Sequence, residues 1–268
     1  MSATALPVPD SVGPGPPGSP FTVHRFATIT STNSYLVELA AEGAPAGTVA
    51  VAAHQSAGRG RLGRRWEAPP GANLLLSVLL RPHMPPGGLH LCSAVVALAV
   101  AEACDATAGV RPELKWPNDL LVVSRKLAGV LAESVPAGEG SRAVVVGVGC
   151  NVGWPAPGEP APEGVPDATS LALLTPAAPT VAELLDVVLV ELARRVGDLD
   201  DELGRRRQAA AYRAACATLG RRVRVELPAQ TITGTAVDVT AEGHLVVDTP
   251  AGRRTVTAGD VVHLRPGA

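Results

Sequence analysis

The sequence predicts a main domain of mixed helices and strands followed by a small all-β module, and three observations carry that prediction. Up to about residue 219, apolar residues recur with a helical period in some stretches and gather into short β-branched runs in others. After Leu219-Gly220 the pattern changes to period two, punctuated by Pro228, Gly243, Gly252 and Gly259. With 268 residues, the chain is long enough for one substantial core and a small appended domain.

The elements follow in order. Residues 1–20 are Pro, Gly, Ser and Ala with hardly a charge or a large apolar group, so they cannot bury enough surface to offset their ordering entropy and are expected to form a disordered tail. Phe21 to Ile29 reads as a strand. Ser31, Thr32 or Asn33 can cap the helix implied by Tyr35, Leu36, Leu39 and Ala40. Val49 to Ala53 and Leu74 to Leu80 read as buried strands flanking a Gly/Arg-rich loop. A helix is expected over Leu89 to Ala106. Its most apolar part, Leu91 to Ala101, ends at Glu102 and falls short of the ~20 residues of a membrane span, so it reads as a core helix.

Short strands are expected at Leu120 to Val123, Leu127 to Ser134 and Ala143 to Val148, and Trp154 to Pro166 is a Pro-rich loop. Thr180 and Glu183 form a capping box ahead of Val181, Leu184, Leu185, Val188, Leu189, Leu192 and Val196, which lie on one helical face. In the last module, Val223, Val225, Leu227, Ile232, Leu245, Val247, Val256, Val261 and Leu264 are spaced for a small barrel or sandwich. No solenoid repeat is present.

A formal charge of −2 and a pI near 6.3 give no global basic field, which argues against non-specific nucleic-acid binding. Any anion site must be local. The first twenty residues lack Lys and Arg, so the charged start of a secretory signal is missing and a cytoplasmic address is expected. The four cysteines are widely spaced with no C-x-x-C pair, and the six histidines show no ligand spacing, so neither a zinc site nor a disulfide framework is suggested. Of the 23 basic residues only Lys115 and Lys126 are lysines, and asparagine occurs only at positions 33, 73, 118 and 151. A lysine in a chain that otherwise uses arginine either marks a place where a compact, mobile ammonium is wanted or is simply a rare residue that falls there, and motif context decides between the two.

Four segments concentrate the chemistry. Gly58-Arg59-Gly60-Arg61-Leu62-Gly63-Arg64-Arg65-Trp66 sets four arginines among glycines. Glycine lets backbone approach a ligand and arginine forks bind carboxylate or phosphate, so the loop suits an anion. Uncompensated arginines at this density should repel one another and leave the loop to order on binding. In isolation such a string also fits an exposed basic loop or an RNA contact. It lacks the G-K-[ST] ending of a Walker loop. Lys115-Trp116-Pro117-Asn118-Asp119 and Lys126-Leu127-Ala128-Gly129-Val130-Leu131-Ala132-Glu133 hold both lysines, and Gly147-Val148-Gly149-Cys150-Asn151 ends a strand on an amide. Trp116 reads as core packing. Lys115 fits a site residue or an ion-pair partner, and Asn73 fits a pre-strand turn as well as a site.

The order S-T-N, Q-x-x-G-R-G-R-x-G-R-x-W, K-W-P-N-D, K-L-A-G-x-L-A-E and G-x-G-x-N resembles the biotin protein ligases from Phe21 to about Cys216. The β module beyond resembles that family's SH3-like C-terminal domain. The resemblance implies an α+β fold: a catalytic domain at 21–219, similar to class II aminoacyl-tRNA synthetases with a mixed sheet flanked by helices, and an SH3-like barrel at 220–268. It also implies an enzyme that makes biotinyl-5′-AMP from biotin and Mg-ATP and passes biotin to a lysine of a biotin carboxyl carrier domain.

By the same resemblance, Ser31, Thr32, Asn33 and Gln55 should line the biotin pocket, with Arg59, Gly60 and Arg61 closing over carboxylate and phosphate. Arg61, Arg64, Trp66, Asn118, Asp119 and Asn151 should serve ATP, Trp66 near adenine and Asp119 as a Mg²⁺ contact. Lys126 should touch both carboxylate and α-phosphate and, with Arg61, act in catalysis. A lipoate ligase or lipoyl/octanoyl transferase is the alternative of the same fold, though the Arg/Gly loop and K-W-P-N-D favour biotin. Some relatives are repressors with an N-terminal helix-turn-helix. Residues 1–20 are too short and too rich in Pro and Gly for one, so no nucleic-acid partner is expected. A pure biotin-binding module would not need the ATP-side residues.

Overall fold

The computed structural model describes residues 6–136, 142–227, 230–257 and 259–264. Its main sheet has eight strands: β1 (Ser11–Pro14), β2 (Thr22–Ile29), β3 (Thr48–Gln55), β4 (Leu74–Leu80), β5 (Glu113–Lys115), β6 (Asp119–Val122), β7 (Arg125–Pro136) and β8 (Arg142–Cys150), in the order β1-β2-β3-β4-β8-β7-β6-β5. Only β2 and β3 run parallel, and helix α1 (Thr32–Ala41) makes that crossover. Its N-cap is Ser31, whose side chain accepts from the Ser34 amide.

Both faces of the sheet are covered, and strand parity assigns the residues. Leu74, Leu76, Val78 and Leu80 of β4 and Val144, Val146, Val148 and Cys150 of β8 face α2 (His90–Ala108), with α4 (Val181–Val196) and α5 (Glu202–Ala215) packed around it. Leu79, Ala143 and Val145 face α1 on the opposite side. Helix α2 has the length and apolarity of a membrane span, yet most of it is buried between the sheet and its neighbouring helices, as its expected role in the core requires. The Thr180–Glu183 capping box opens α4 with both reciprocal hydrogen bonds formed.

Besides the short strand β5, three elements escaped the sequence patterns. Short α3 (Leu171–Leu174) follows the Pro-rich loop. Helix α5 is largely polar, with Asp201 capping it and Arg206 paired to Glu202 one turn back, so no apolar stripe announces it. Strand β1 corrects the expected disorder of the first twenty residues, of which 1–5 lie outside the described residues. The backbone of Ser11–Pro14 pairs with the open edge of β2, the Asp10 carboxylate accepts from the Ala27 amide at 2.5 Å, and Leu6 packs against the α1 cluster. Main-chain bonding to a free sheet edge thus orders a segment that side-chain burial alone would not.

The C-terminal module is a five-stranded antiparallel sheet of SH3-like type: β9 (Arg222–Glu226), β10 (Thr231–Val239), β11 (Leu245–Thr249), β12 (Gly252–Val256) and β13 (Asp260–His263), ordered β12-β11-β10-β9-β13. The expected barrel does not close: among the described residues no ladder joins β12 to β13. Strand β13 has four residues, and β12 carries exposed Arg253 and Arg254, which keep that edge solvated. Trp116 is buried in this module's core beside Val223, Val225 and Leu245, and its indole N–H donates to the Gly243 carbonyl at 2.8 Å. It is a packing residue, as read from the sequence, and it pins one domain to the other.

Candidate active site

A cleft of about 1040 Å³ opens on the α1 side of the sheet, at the N-terminal end of α1, where the floor turns from valine to glycine and serine. Register aligns three rows across β4, β8 and β7: Leu79, Val145 and Glu133; then Ser77, Gly147 and Leu131; then Leu75, Gly149 and Gly129. The first row packs against α1. In the other two, Ser77, Gly147, Gly149 and Gly129 are small, and at the glycines side chains lie directly on the backbone. A Cβ on Gly147 would fall 2.0 Å from Asn33 Oδ1, and one on Gly149 would fall 2.2 Å from the Trp66 ring. The G-x-G-x-N segment therefore seats Asn33 on its first glycine and Trp66 on its second.

Lys126 reaches the same face through a break in strand parity. Leu120 pairs with Ala128 but Leu121 with Lys126, so Leu127 is an extra residue in β7, buried in the core, and the bulge turns Lys126 to the side of Gly129 and Leu131. Its ammonium lies 2.7 Å from Asp119 Oδ1 and 5.7 Å from the centre of the Trp66 ring, both partners of the ion pair being about four-fifths buried. The Trp66 indole N–H is buried over Gly149 and meets no acceptor among the described residues.

Thr32, Asn33 and Gln55 of the acid-pocket candidates form one network of uncharged side chains, tied at Asn33 to the Glu133 carboxylate. Gln55 Oε1 accepts from the Thr32 amide at 2.8 Å and the Thr32 hydroxyl at 3.0 Å. The Ser77 hydroxyl stands 2.7 Å from Thr32 Oγ1 and 2.6 Å from Asn33 Oδ1. The Asn33 amide donates to the Leu131 carbonyl at 3.2 Å and to Glu133 at 2.9 Å. Ser31, Thr32, Asn33 and Ser77 are all buried. Ser77 and Glu133 were not singled out from sequence. Glu133 closes the K-L-A-G-x-L-A-E segment, so its place there was the available signal.

The arginine loop folds on itself, the Gly60 amide donating to the Arg64 carbonyl at 2.7 Å and the Trp66 amide to Gly58 at 3.0 Å. Leu62 and Gly63 take positive φ at its tip. The expectation of uncompensated arginines is corrected. Arg59 pairs with Glu133, Arg64 with Asp260 and Arg65 with Glu67, while Arg61 donates to Asn118 Oδ1 at 3.1 Å and to the Gly259 carbonyl at 3.4 Å. Burial lowers the Arg61 pKa, and the charges of Asp260 and Asp119 oppose that shift; a guanidinium stays protonated throughout. Two of these anchors, Gly259 and Asp260, belong to the C-terminal module, whose Arg221, Val262 and His263 also line the cleft.

Asn118 and Asn151 line the cleft with much of their hydrogen bonding already satisfied. Asn118 donates to the Val130 carbonyl at 3.0 Å. Asn151 accepts from Asn73 at 3.0 Å and donates to the Thr169 carbonyl at 2.9 Å. Asn73, fully buried, also accepts from the Val152 and Trp154 amides and so fixes the exit of β8. Its role is to hold the chain behind the cleft. Among the described residues no three His, Cys, Asp or Glu side chains converge as a metal cage.

The description "Biotin/lipoate A/B protein ligase family" matches residues 25–151, and "Biotin protein ligase C terminal domain" matches residues 218–264. Fold and cleft thus define a protein ligase of the biotin/lipoate class. The chain is 42% identical over 242 residues to the biotin-acetyl-CoA-carboxylase ligase of Mycobacterium tuberculosis, covering 88% of this chain and 86% of that one. It is 34% identical to the enzyme of the same name from Paracoccus denitrificans, covering 88% and 98%. The biotin protein ligase of Aquifex aeolicus, solved with biotin and ATP, superposes with a TM-score of 0.76 at 28% identity, covering 91% of this chain and 98% of that one. This chain belongs to the biotin protein ligase family.

Proposed function

We propose that this chain is an ATP-dependent biotin protein ligase that forms biotinyl-5′-AMP and transfers biotin to a lysine of a biotin carboxyl carrier domain. The observation that carries the reading is the placement of Lys126: a bulge turns its ammonium into a cleft with a neutral polar pocket on one side and four arginines on the other.

The neutral pocket suits the ring of the acid. A ureido ring presents one carbonyl and two N–H groups, and the pocket keeps matching valences: the Ser31 hydroxyl hydrogen, a second lone pair on Asn33 Oδ1 and the Gln55 side-chain amide. The acid's carboxylate then points toward Lys126, Arg59 and Arg61. One carboxylate oxygen attacks the α-phosphorus of ATP and pyrophosphate leaves. Two anions must meet for this bond to form, and the cations offset their repulsion. Lys126 serves both, since a single mobile ammonium follows charge from carboxylate to phosphate.

Arg64, Trp66, Asn118 and Asn151 form the nucleotide side, Trp66 offering a ring face and Asn118 orienting Arg61. Asn151 acts by holding the β8 exit. Magnesium enters with ATP as part of the substrate. Asp119 is the cleft carboxylate beside Lys126 that we assign to such an ion, and in the structure it is first the counter-ion that positions Lys126. A neutral acceptor amine then attacks the acyl carbon of the mixed anhydride and AMP leaves, the folded loop excluding water meanwhile. A chain that uses ATP and a carboxylase subunit belongs in the cytoplasm.

The test is the intact mass of a carrier domain after incubation with this protein, Mg-ATP and equimolar biotin and lipoate. An ATP-dependent gain of one biotinyl group is expected. A lipoyl gain would move the assignment to lipoate ligation, and no gain would refute both.

A further inference from the structure

We propose that Glu133 is a positioning residue that couples the acid pocket to the arginine loop. This rests on the ligase reading and adds a residue to it. Glu133 lies on β7 beyond the stretch paired to β6, and its pairing with Val145 of β8 fixes its backbone to the sheet. Parity places its side chain on the cleft face with Gly129 and Leu131.

A single oxygen, Oε2, accepts from the Asn33 amide at 2.9 Å and from the Arg59 guanidinium. Asn33 belongs to the buried wall that receives the ring, and Arg59 belongs to the loop that closes over the reacting carboxylate. The two parts share no other side chain in these contacts. The same carboxylate also lines a recess of about 550 Å³ beneath the loop, bounded by residues 57–65 and Leu131. Glu133 is thus the post to which the loop's first arginine is tied.

The two partners depend on it unequally. Asn33 keeps the Leu131 carbonyl and the Ser77 hydroxyl if the charge on Glu133 is removed. Arg59 has no second carboxylate among its contacts in the described residues. Neutralising Glu133 should therefore leave acid binding nearly intact and loosen the loop. The loss should appear as escape of the adenylate to water before the acceptor arrives.

The experiment preforms biotinyl-5′-AMP on the full chain, removes free substrate, and compares the rate of adenylate loss in buffer with its transfer to a carrier domain. Glu133→Gln keeps an acceptor and removes the charge. It is expected to raise adenylate loss about tenfold, about 1.4 kcal/mol, while the biotin KM stays within about threefold. Arg59→Gln, on the exposed loop where folding is not at risk, should give the same leak, and the double variant no more than either alone.

Wild-type leakage in Glu133→Gln, or effects that multiply in the double variant, would overturn the proposal while the ligase reading stands. A raised KM without added leakage would assign Glu133 to the ring pocket alone and overturn it as well. Failure of the wild-type chain to form adenylate would instead remove the reading on which the proposal rests.

Discussion

The two ends of the cleft are built differently. At the acid end Ser31, Thr32, Asn33 and Ser77 are buried, uncharged and cross-linked by short hydrogen bonds to one another and to the sheet. At the loop end the arginines are largely exposed, and carboxylates from β7 and β13 hold them in ion pairs. Buried neutral networks have one low-energy arrangement, because any broken bond leaves an unsatisfied polar group. Exposed ion pairs contribute about 0–1 kcal/mol each and exchange partners easily. On the proposed function, the acid end would then be a rigid template for selection and the loop end an adjustable electrostatic cover able to accept phosphate in place of carboxylate.

The largest effect belongs to the point where the two ends meet. Lys126→Arg should slow adenylation by at least about 100-fold, because a planar fork cannot occupy the space between Asp119, Gly129 and Trp66 or follow the shifting charge. Pyrophosphate release on mixing biotin with Mg-ATP measures it, and near-normal rates would remove Lys126 from the reacting centre. Next comes Gly147→Ala, which tests the rigid end. Its methyl group would meet Asn33 Oδ1 at 2.0 Å and must displace it. The biotin KM should rise about 30-fold or more, while transfer from purified biotinyl-5′-AMP falls less, since the nucleotide side retains its own contacts. An unchanged KM would show that the acid end yields as readily as the loop.

Much of this division was legible in the sequence, and the parts that were not have physical causes. The S-T-N turn, the G-R loop, both lysine segments and the G-x-G-x-N strand end all converge on one cleft. The buried strands and α2 were legible because their apolar runs reflect coverage on both faces. Leu127 shows what pattern alone conceals: two consecutive buried residues, Leu127 and Ala128, look like a continuous core strand, and only the pairing register reveals the bulge that aims Lys126. The carboxylates that tame the arginines were hidden for another reason. Glu133 and Asp260 lie 74 and 196 residues from their partners, and no local spacing encodes such contacts. Strand β1 and helix α5 have little apolar signal and are held by backbone pairing, capping and surface ion pairs.

The adjustable end reaches into the second domain. Asp260→Asn removes the carboxylate from Arg64 and should lower the rate of adenylation about two- to fivefold through the ATP KM, with the biotin KM unchanged. A matching change in the biotin KM would argue that the C-terminal module shapes the whole cleft and not the loop alone. Fold stability should barely move, since the pair is exposed on the Arg64 side.

The last effect, on stability and not on rate, lies at the seam behind that contact. His263 accepts from or donates to Thr218 Oγ1 at 3.0 Å, and burial together with the charges of Lys115 and Arg221 lowers its pKa to about 4. His90, beside the Gly87 carbonyl, His244, Glu242 and Arg213, is likewise lowered to about 4, chiefly by burial. Both are neutral in the folded chain at pH 6, whereas an unfolded chain begins to protonate them near 6.5. The unfolded state therefore binds more protons between pH 6.5 and 4, and stability falls as pH drops through that window. After allowance for solvent screening the loss is on the order of 1–2 kcal/mol per histidine. Urea titrations at pH 7 and pH 5, compared with those of His263→Gln, measure it: the variant should lose less stability on acidification than the parent. Equal slopes would mean that the seam opens before the histidine must be protonated, which would extend the adjustability of the loop to the joint between the two domains.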